Sequence, residues 1–271
     1  MICIMKAIFL LFIMFGIELM ASQALVFGVI STVDPMLMKK KVQPLMYEIE
    51  KVVHKKVIFQ TGYNYADTIN KFANGTFDIG LIGPAPYVKA HEIDSNALEI
   101  LAGIKNSKEK PFRSVIVSKK GSPFLSYKDL KNQRFAFGSP NSTLSYFVPK
   151  YMLMRSGTFD KLKRYDFLGR HDRVAQYVIM GKFAAGSIKQ SIATKYEQYL
   201  QVIAISKEMP GFMIVANKKL PRSLRRKIKS FLLNMKDISS LKKIKSSAMG
   251  FEPRYDKDYD KLRKIMRKVT Y

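Results

Sequence analysis

The sequence predicts an α/β protein of two lobes, each a mostly parallel sheet flanked by helices, with a hinge between them. Three observations predict it. Short apolar runs of strand length alternate with amphipathic helical stretches along most of the chain, which implies strands joined by helical crossovers. The chain has 271 residues, more than one small domain needs. Its 47% hydrophobic and 25% charged residues exclude disordered, collagenous and low-complexity classes and allow a large core. Ligands of such sheets sit at the carboxyl ends of strands.

The first segment belongs to targeting rather than to the fold. Lys6 is followed by an apolar stretch from Ala7 to Met20, broken only by Gly16 and Glu18, and then by Ala21-Ser22-Gln23-Ala24. This order of basic, apolar and small residues predicts a secretory signal peptide over residues 1–24, cut after Ala24; its apolar core is short for a membrane span. The sole cysteine, Cys3, precedes that core, so the mature chain has no disulfide, thiolate nucleophile or Cys-bound metal. An exported product follows, periplasmic in a cell with two membranes.

The mature chain opens with a buried strand, Ala24–Ile30, and then a helix whose stripe is Val42, Leu45, Ile49 and Val52. Val57–Gln60 is the next strand, and Ala66–Asn74 a helix closed by Gly75. Phe77–Ile82 is a strand ending in Gly83-Pro84-Ala85-Pro86, which predicts a rigid turn. Further strands are predicted at Leu98–Ile104, Val115–Ser118, Phe135–Gly138, Leu200–Ser206 and Met213–Ala216, and closing helices at Arg222–Met235 and Asp256–Lys268. A second lobe, residues 110–206, is inserted into a first lobe of residues 25–109 and 207–271. The hinge is expected near Asn106–Pro111 and Ser206–Pro210.

Catalytic constellations are scarce. His54, His91 and His171 are not at metal-ligand spacing, and no H-E-x-x-H, G-x-S-x-G, G-x-G-x-x-G or phosphate-loop motif occurs. The sequence favours binding over catalysis, with no cofactor and no metal. Two segments carry chemistry. Asn141-Ser142-Thr143-Leu144-Ser145 follows a strand and a Gly/Pro turn and opens a helix, with the start expected just before Pro149. Free N–H groups and three hydroxyls there make an anion site, although Ser or Thr at a helix start often serves only as a cap. The second is Gly169-Arg170-His171-Asp172, in which Asp172 is placed to cap the next helix and His171 could donate to an anion; as a motif alone it better describes a histidine in a surface loop.

Taken together these segments resemble the periplasmic phosphonate-binding proteins, the PhnD-like substrate-binding components of ABC importers, over almost the whole mature chain. Phe27–Thr32 is similar to the family's first strand and loop. Asn64-Tyr65 with Ile69, Asp78 and Gly83 is similar to its "DY…i…D…g" stretch, and Phe112–Val117 with Leu130–Phe135 to its second-lobe entry. Asn141–Ser145 resembles the "NSTSG" loop and Gly169–Asp172 the "GsHD" motif. Met209-Pro210, Lys219–Pro221, Gly250-Phe251 and Tyr259 resemble its closing segment. The resemblance implies a two-lobe periplasmic binding protein fold, type II-like. It implies that Ser142, Thr143 and Ser145 hold phosphonate-like oxygens, that His171 donates to the same anion, and that Tyr65 and Tyr87 approach from the first lobe.

The departures carry information too. Phe112 stands where members that bind aminoalkylphosphonates have a tyrosine, and their two ammonium-holding carboxylates would fall by spacing at Ser191 and Phe212. An ammonium there would lack a counter-charge, at a cost of roughly several kcal/mol. Ala184 replaces a common acidic residue, and Leu144-Ser145 reverses the loop's small-residue pattern. The ligand expected is phosphate, phosphite or a small alkylphosphonate, and the partner an ABC permease, with the protein a monomer. Two other readings stay open: a sensor on the same fold that signals to a membrane receptor, and an exported polyanion binder. The second draws on 47 Lys and Arg against 21 Asp and Glu, a formal charge of +26. The basic C-terminal region also carries Leu224, Ile228, Phe231 and Leu232 at helical spacing, which marks a solvated helix face over an ordinary core rather than a nucleic-acid surface.

Overall fold

A computed structural model of the chain describes residues 24–30, 34–108 and 111–270. The expected signal segment lies, apart from Ala24, outside them. Alternating apolar residues build a first sheet from β1 (Leu25–Val29), β2 (Val57–Gln60), β3 (Ile79–Ile82), β4 (Leu98–Asn106), β10 (Met213–Asn217) and β11 (Ala248–Glu252), in the order β11-β4-β10-β3-β1-β2. Phe27, Val29, Ile79, Leu81, Ile214 and Ala216 face one layer, with α1 (Pro35–Val53), α7 (Arg222–Leu233) and α8 (Ser239–Ile244). Ile82, Ile100, Met213 and Val215 face the opposite layer, with α2 (Tyr65–Ala73), α3 (Pro84–Ile93) and α9 (Asp260–Thr270). In α7, Ile228 and Leu232 are buried and Leu224 and Phe231 pack beside them, so its basic residues form the outer face of a core helix.

The second sheet is made of β5 (Ser114–Lys119), β6 (Arg134–Phe137), β7 (Arg164–Phe167), β8 (Ala185–Lys189) and β9 (Leu200–Ile205), in the order β7-β6-β8-β5-β9. Its helices are α4 (Val148–Arg155), α5 (His171–Ile179) and α6 (Gln190–Lys195). Val174 and Val178 of α5 are fully buried against Val115 and Val117 of β5.

Both sheets are mixed rather than mostly parallel. β1 pairs parallel with β2 and β3, and β6 with β7 and β8. β10 runs antiparallel to both β3 and β4, and β5 antiparallel to both β8 and β9. The reason lies in the crossings: β4 leads to β5, and β9 to β10, through short stretches with no helix among the described residues. A parallel pairing needs a crossover connection, whereas a strand arriving directly from the other sheet enters reversed.

The two halves meet through one apolar cluster that joins Ile82, Tyr87 and Tyr259 to Leu144, Phe147 and Val148. Lys150 of α4 donates to the Val269 carbonyl of α9 at 2.7 Å, and Lys89 of α3 to Asn141 Oδ1.

Candidate functional site

The site grows from the turn after β6. Ser142 enters extended and caps the following run, its Oγ accepting the Ser145 N–H at 3.2 Å. The first turn, Thr143–Phe147, is a π turn: the Phe147 N–H reaches back to the Ser142 carbonyl and that of Val148 to Thr143. The N–H groups of Thr143 and Leu144 have no acceptor among the described residues. The helical run therefore opens with this π turn at Thr143, and the α-helix proper starts at Val148, just before Pro149 as expected. Pro149 leaves no carbonyl bare, because that of Ser145 accepts instead from the Gly138 N–H at 3.2 Å and Ser187 Oγ at 2.9 Å.

Facing this turn is the start of α3. Gly83-Pro84-Ala85-Pro86, expected as a rigid turn, is its N-cap and first turn, since proline is favoured at a first helical position. Pro84 and Pro86 have no N–H, and that of Tyr87 goes to the Gly83 carbonyl at 3.0 Å. The Ala85 N–H donates to Thr143 Oγ1 at 2.9 Å, across the seam between the two sheets. The Thr143 hydroxyl keeps its own proton to donate.

His171 begins α5, directed there by Gly169, whose φ of +80° turns the chain after β7. Its Nδ1 accepts the backbone N–H of Lys189 at 3.1 Å, so Nε2 carries the proton. Burial, reinforced by the Lys189 ammonium and opposed by Asp172, pushes the imidazole down to about 3, and it is a neutral donor. Asp172 does not cap the helix: Arg170 holds the cap position, and Asp172, one turn position further in, pairs with Arg170 at 3.0 Å. Tyr65 opens α2 behind the cap Asn64, and burial pushes its phenol up to about 12, so it too keeps its proton.

Tyr65, Ser142, Thr143 and His171 share the wall of one chamber of about 40 Å³ with Ile30, Leu144 and Lys189. That is room for about three water-sized groups, the scale of the oxygens on one small tetrahedral ion. Hydroxyls, amides and a neutral imidazole converge there with no Asp or Glu among the described lining residues.

Residues 27–259 match the family described as ABC transporter, phosphonate, periplasmic substrate-binding protein. The chain belongs to that family. It is 28% identical over 247 residues to a probable ABC transporter phosphite binding protein, PhnD1, of Prochlorococcus marinus (strain MIT 9301), covering 82% of each chain. It is 28% identical over 227 residues to the phosphonates-binding periplasmic protein of Escherichia coli (strain K12), covering 78% of this chain and 66% of the relative. The solved structure of the Prochlorococcus PhnD1 in complex with methylphosphonate superposes with a TM-score of 0.80 at 26% identity, over 92% of this chain and 98% of the other. This phosphonate-binding family is the periplasmic, substrate-binding part of its transporters, and among the described residues no helix is long and apolar enough to cross a membrane.

Two residues that the family resemblance brought to the ligand stand elsewhere. Tyr87 is 2% exposed, packs on Tyr259 at 5.3 Å and donates its hydroxyl to Asp256 at 2.7 Å. It lies within a helix, on the face turned to the core, rather than at the exit of a turn. Ser145 is buried on the sheet side of the π turn; a Cβ added at Gly138 would come within 2.3 Å of its Oγ. Neither lines the chamber.

The chamber opens into a second, of about 590 Å³, and the two share Ile30, Phe112, Leu144, Lys189 and Phe212. Phe112 and Phe212 meet edge to face at 5.6 Å and form an apolar step between them. Ser191 lies in the outer wall, so Phe112, Ser191 and Phe212, the three positions that the resemblance marked as departures, all border the cleft. Sequence reasoning missed Lys189 as a lining residue. Lys189 ends a strand of small residues far along the chain, and its backbone N–H, which any residue but proline supplies, is what orients His171.

Proposed function

We propose that this member of the phosphonate-binding family captures a small phosphorus oxyanion, a phosphonate, phosphite or phosphate, in the inner chamber and delivers it to an ABC permease after export through its N-terminal signal peptide. The observation that carries the reading is the convergence of the Ser142 and Thr143 hydroxyls, two free backbone N–H groups, neutral His171 and protonated Tyr65 on one small chamber. All are donors, and uncharged dipoles suffice for an anion in a closed cleft. The inserted lobe, residues 110–206, moves on the crossings at 107–113 and 206–212, the only short chain paths between the two described sheets. The relatives' ligands, phosphite and methylphosphonate, support the same class. Phe212 and Ser191, where carboxylates would hold an ammonium, argue against aminoethylphosphonate.

The test is calorimetry of the protein against phosphate, phosphite, methylphosphonate and aminoethylphosphonate. At least one non-amino anion binds, and Ser142→Ala/Thr143→Ala weakens it roughly a hundredfold, two charge-assisted hydrogen bonds being lost. A thermal melt of the variant checks folding, because the Ala85 N–H loses its acceptor. Preferred binding of aminoethylphosphonate would overturn the ligand assignment; no binding of any of the four would overturn the capture role.

A further inference from the structure

The inner chamber accounts for a single oxyanion, which leaves the larger space beyond the Phe112–Phe212 step without a role. Its wall is cationic. Of its 21 lining residues seven are Lys or Arg and none is Asp or Glu among those described. Three of the lysines stand close together although they come from separate elements: Lys41 from the middle of α1, Lys189 from the end of β8, and Lys245 just after α8. None of the three belongs to an ion pair among the described residues. Each is half-buried. Lys245 Nζ lies 5.4 Å from the centre of the Phe112 ring, directly over the apolar step.

Half-buried ammonium groups held together without ion-pair partners repel one another and lose hydration. Burial and then mutual repulsion lower Lys189, where Asp172 opposes them, and bring Lys245 down to about 8, where the exposed Glu208 opposes them. A second anion in the chamber relieves both costs. Of the five residues the two chambers share, Ile30, Phe112, Leu144 and Phe212 are apolar and the fifth is Lys189. A ligand that fills both spaces is therefore anionic at each end and apolar between. The arrangement is opposite in sign to a site for an amino group, which needs carboxylates in that position.

Resting on the reading of the inner chamber as a phosphorus oxyanion site, we propose that the outer chamber is a subsite for a second anionic group, so that the preferred ligands are phosphonates whose short alkyl arm ends in a carboxylate. The oxyanion sits on the Ser142–Leu144 turn and His171, the alkyl arm crosses between the two phenylalanines, and the carboxylate meets Lys245 and Lys41.

Calorimetry with three ligands that share a two-carbon arm tests this on the unaltered protein: 3-phosphonopropionate, propylphosphonate and 2-aminoethylphosphonate, with methylphosphonate beside them. The expected order is carboxylate about tenfold or more tighter than methyl, with ammonium the weakest. In Lys245→Gln the carboxylate's advantage over propylphosphonate falls to about twofold or less while methylphosphonate binds as before. Equal affinity for 3-phosphonopropionate and propylphosphonate, or an advantage that survives Lys245→Gln/Lys41→Gln, overturns the subsite. If methylphosphonate binds and 3-phosphonopropionate does not, the subsite alone is overturned; if none of the four binds, the oxyanion reading falls and the subsite with it.

Discussion

His171 illustrates how the protonation of a single side chain is set by a partner that has no side-chain chemistry. The backbone N–H of Lys189 fixes the tautomer, and burial with a nearby ammonium holds the ring neutral, at about 3 against an ordinary 6.5. The unfolded chain takes up a proton near the ordinary value and the native chain does not, so below about 6.5 the unfolded state binds more protons. The contribution of His171 to stability is thus fully present above that pH and lost progressively as pH falls toward 3. Thermal melts at pH 7.5 and 5 should show a smaller acid loss for His171→Gln than for the parent, and an unchanged acid loss would contradict a buried neutral imidazole. At this scale the sequence was legible in its motifs: Ser142 and Thr143 at a helix start and His171 after Gly169 stand out by type and position, while Tyr65 came only with the family resemblance. It was not legible for Tyr87 and Ser145, because which face of a helix meets the cleft depends on the π turn and on the helix that follows Gly83.

Elements position those residues through their ends rather than their middles. Ser142 lies at the start of one helical run, His171 at the start of α5 and Tyr65 at the start of α2, and each follows a strand whose carboxyl end points to the cleft. Gly169 makes one of these ends possible. There is open space around a Cβ at that position, but φ is +80°, so Gly169→Ala should cost about 1–2 kcal/mol through the backbone alone. Urea unfolding measures this, and a neutral result would mean that the turn readily takes another shape. Strands β1, β2, β3, β4, β5, β6, β9 and β10 and most of the helices were readable within a few residues, because their apolar runs are dense. Three strands gave no such signal. β7 (Arg164–Phe167) is an edge strand with polar and exposed positions, β8 (Ala185–Lys189) is built of small residues around Gly186, and β11 (Ala248–Glu252) is interrupted by Gly250. Gly186 is small for a reason: a Cβ there would come within 2.6 Å of Val174 of the helix that carries His171.

For the whole molecule, the direction of the crossings matters more than the composition. Strands alternating with helices suggest parallel sheets, yet direct passages between the sheets deliver β5 and β10 reversed. No local pattern marks a strand as one that arrives from elsewhere, which is why the overall class was visible and the pairing was not. The formal charge of +26 acts at this scale as well. It should speed the arrival of anions, an effect confined to about 10 Å at 0.1 M salt. Stopped-flow association rates for methylphosphonate should therefore fall between low and physiological salt more steeply than equilibrium affinity does; parallel loss of both would assign the salt effect to contacts in the cleft.

The place of β10 between β3 and β4 also bears on how the chain comes to be assembled. The sheet of β5 to β9 is drawn from one uninterrupted stretch, 114–205, and has all its strands once that stretch has emerged. The other sheet has a gap at its centre until Met213–Asn217 arrives, with β3 and β4 lacking the neighbour that joins them. In refolding followed by pulsed hydrogen exchange, amides of β5 and β8 should gain protection before those of β3 and β10, since local contacts close sooner than distant ones. The segment synthesised in the middle then provides the template, and the two ends of the chain are joined last around it.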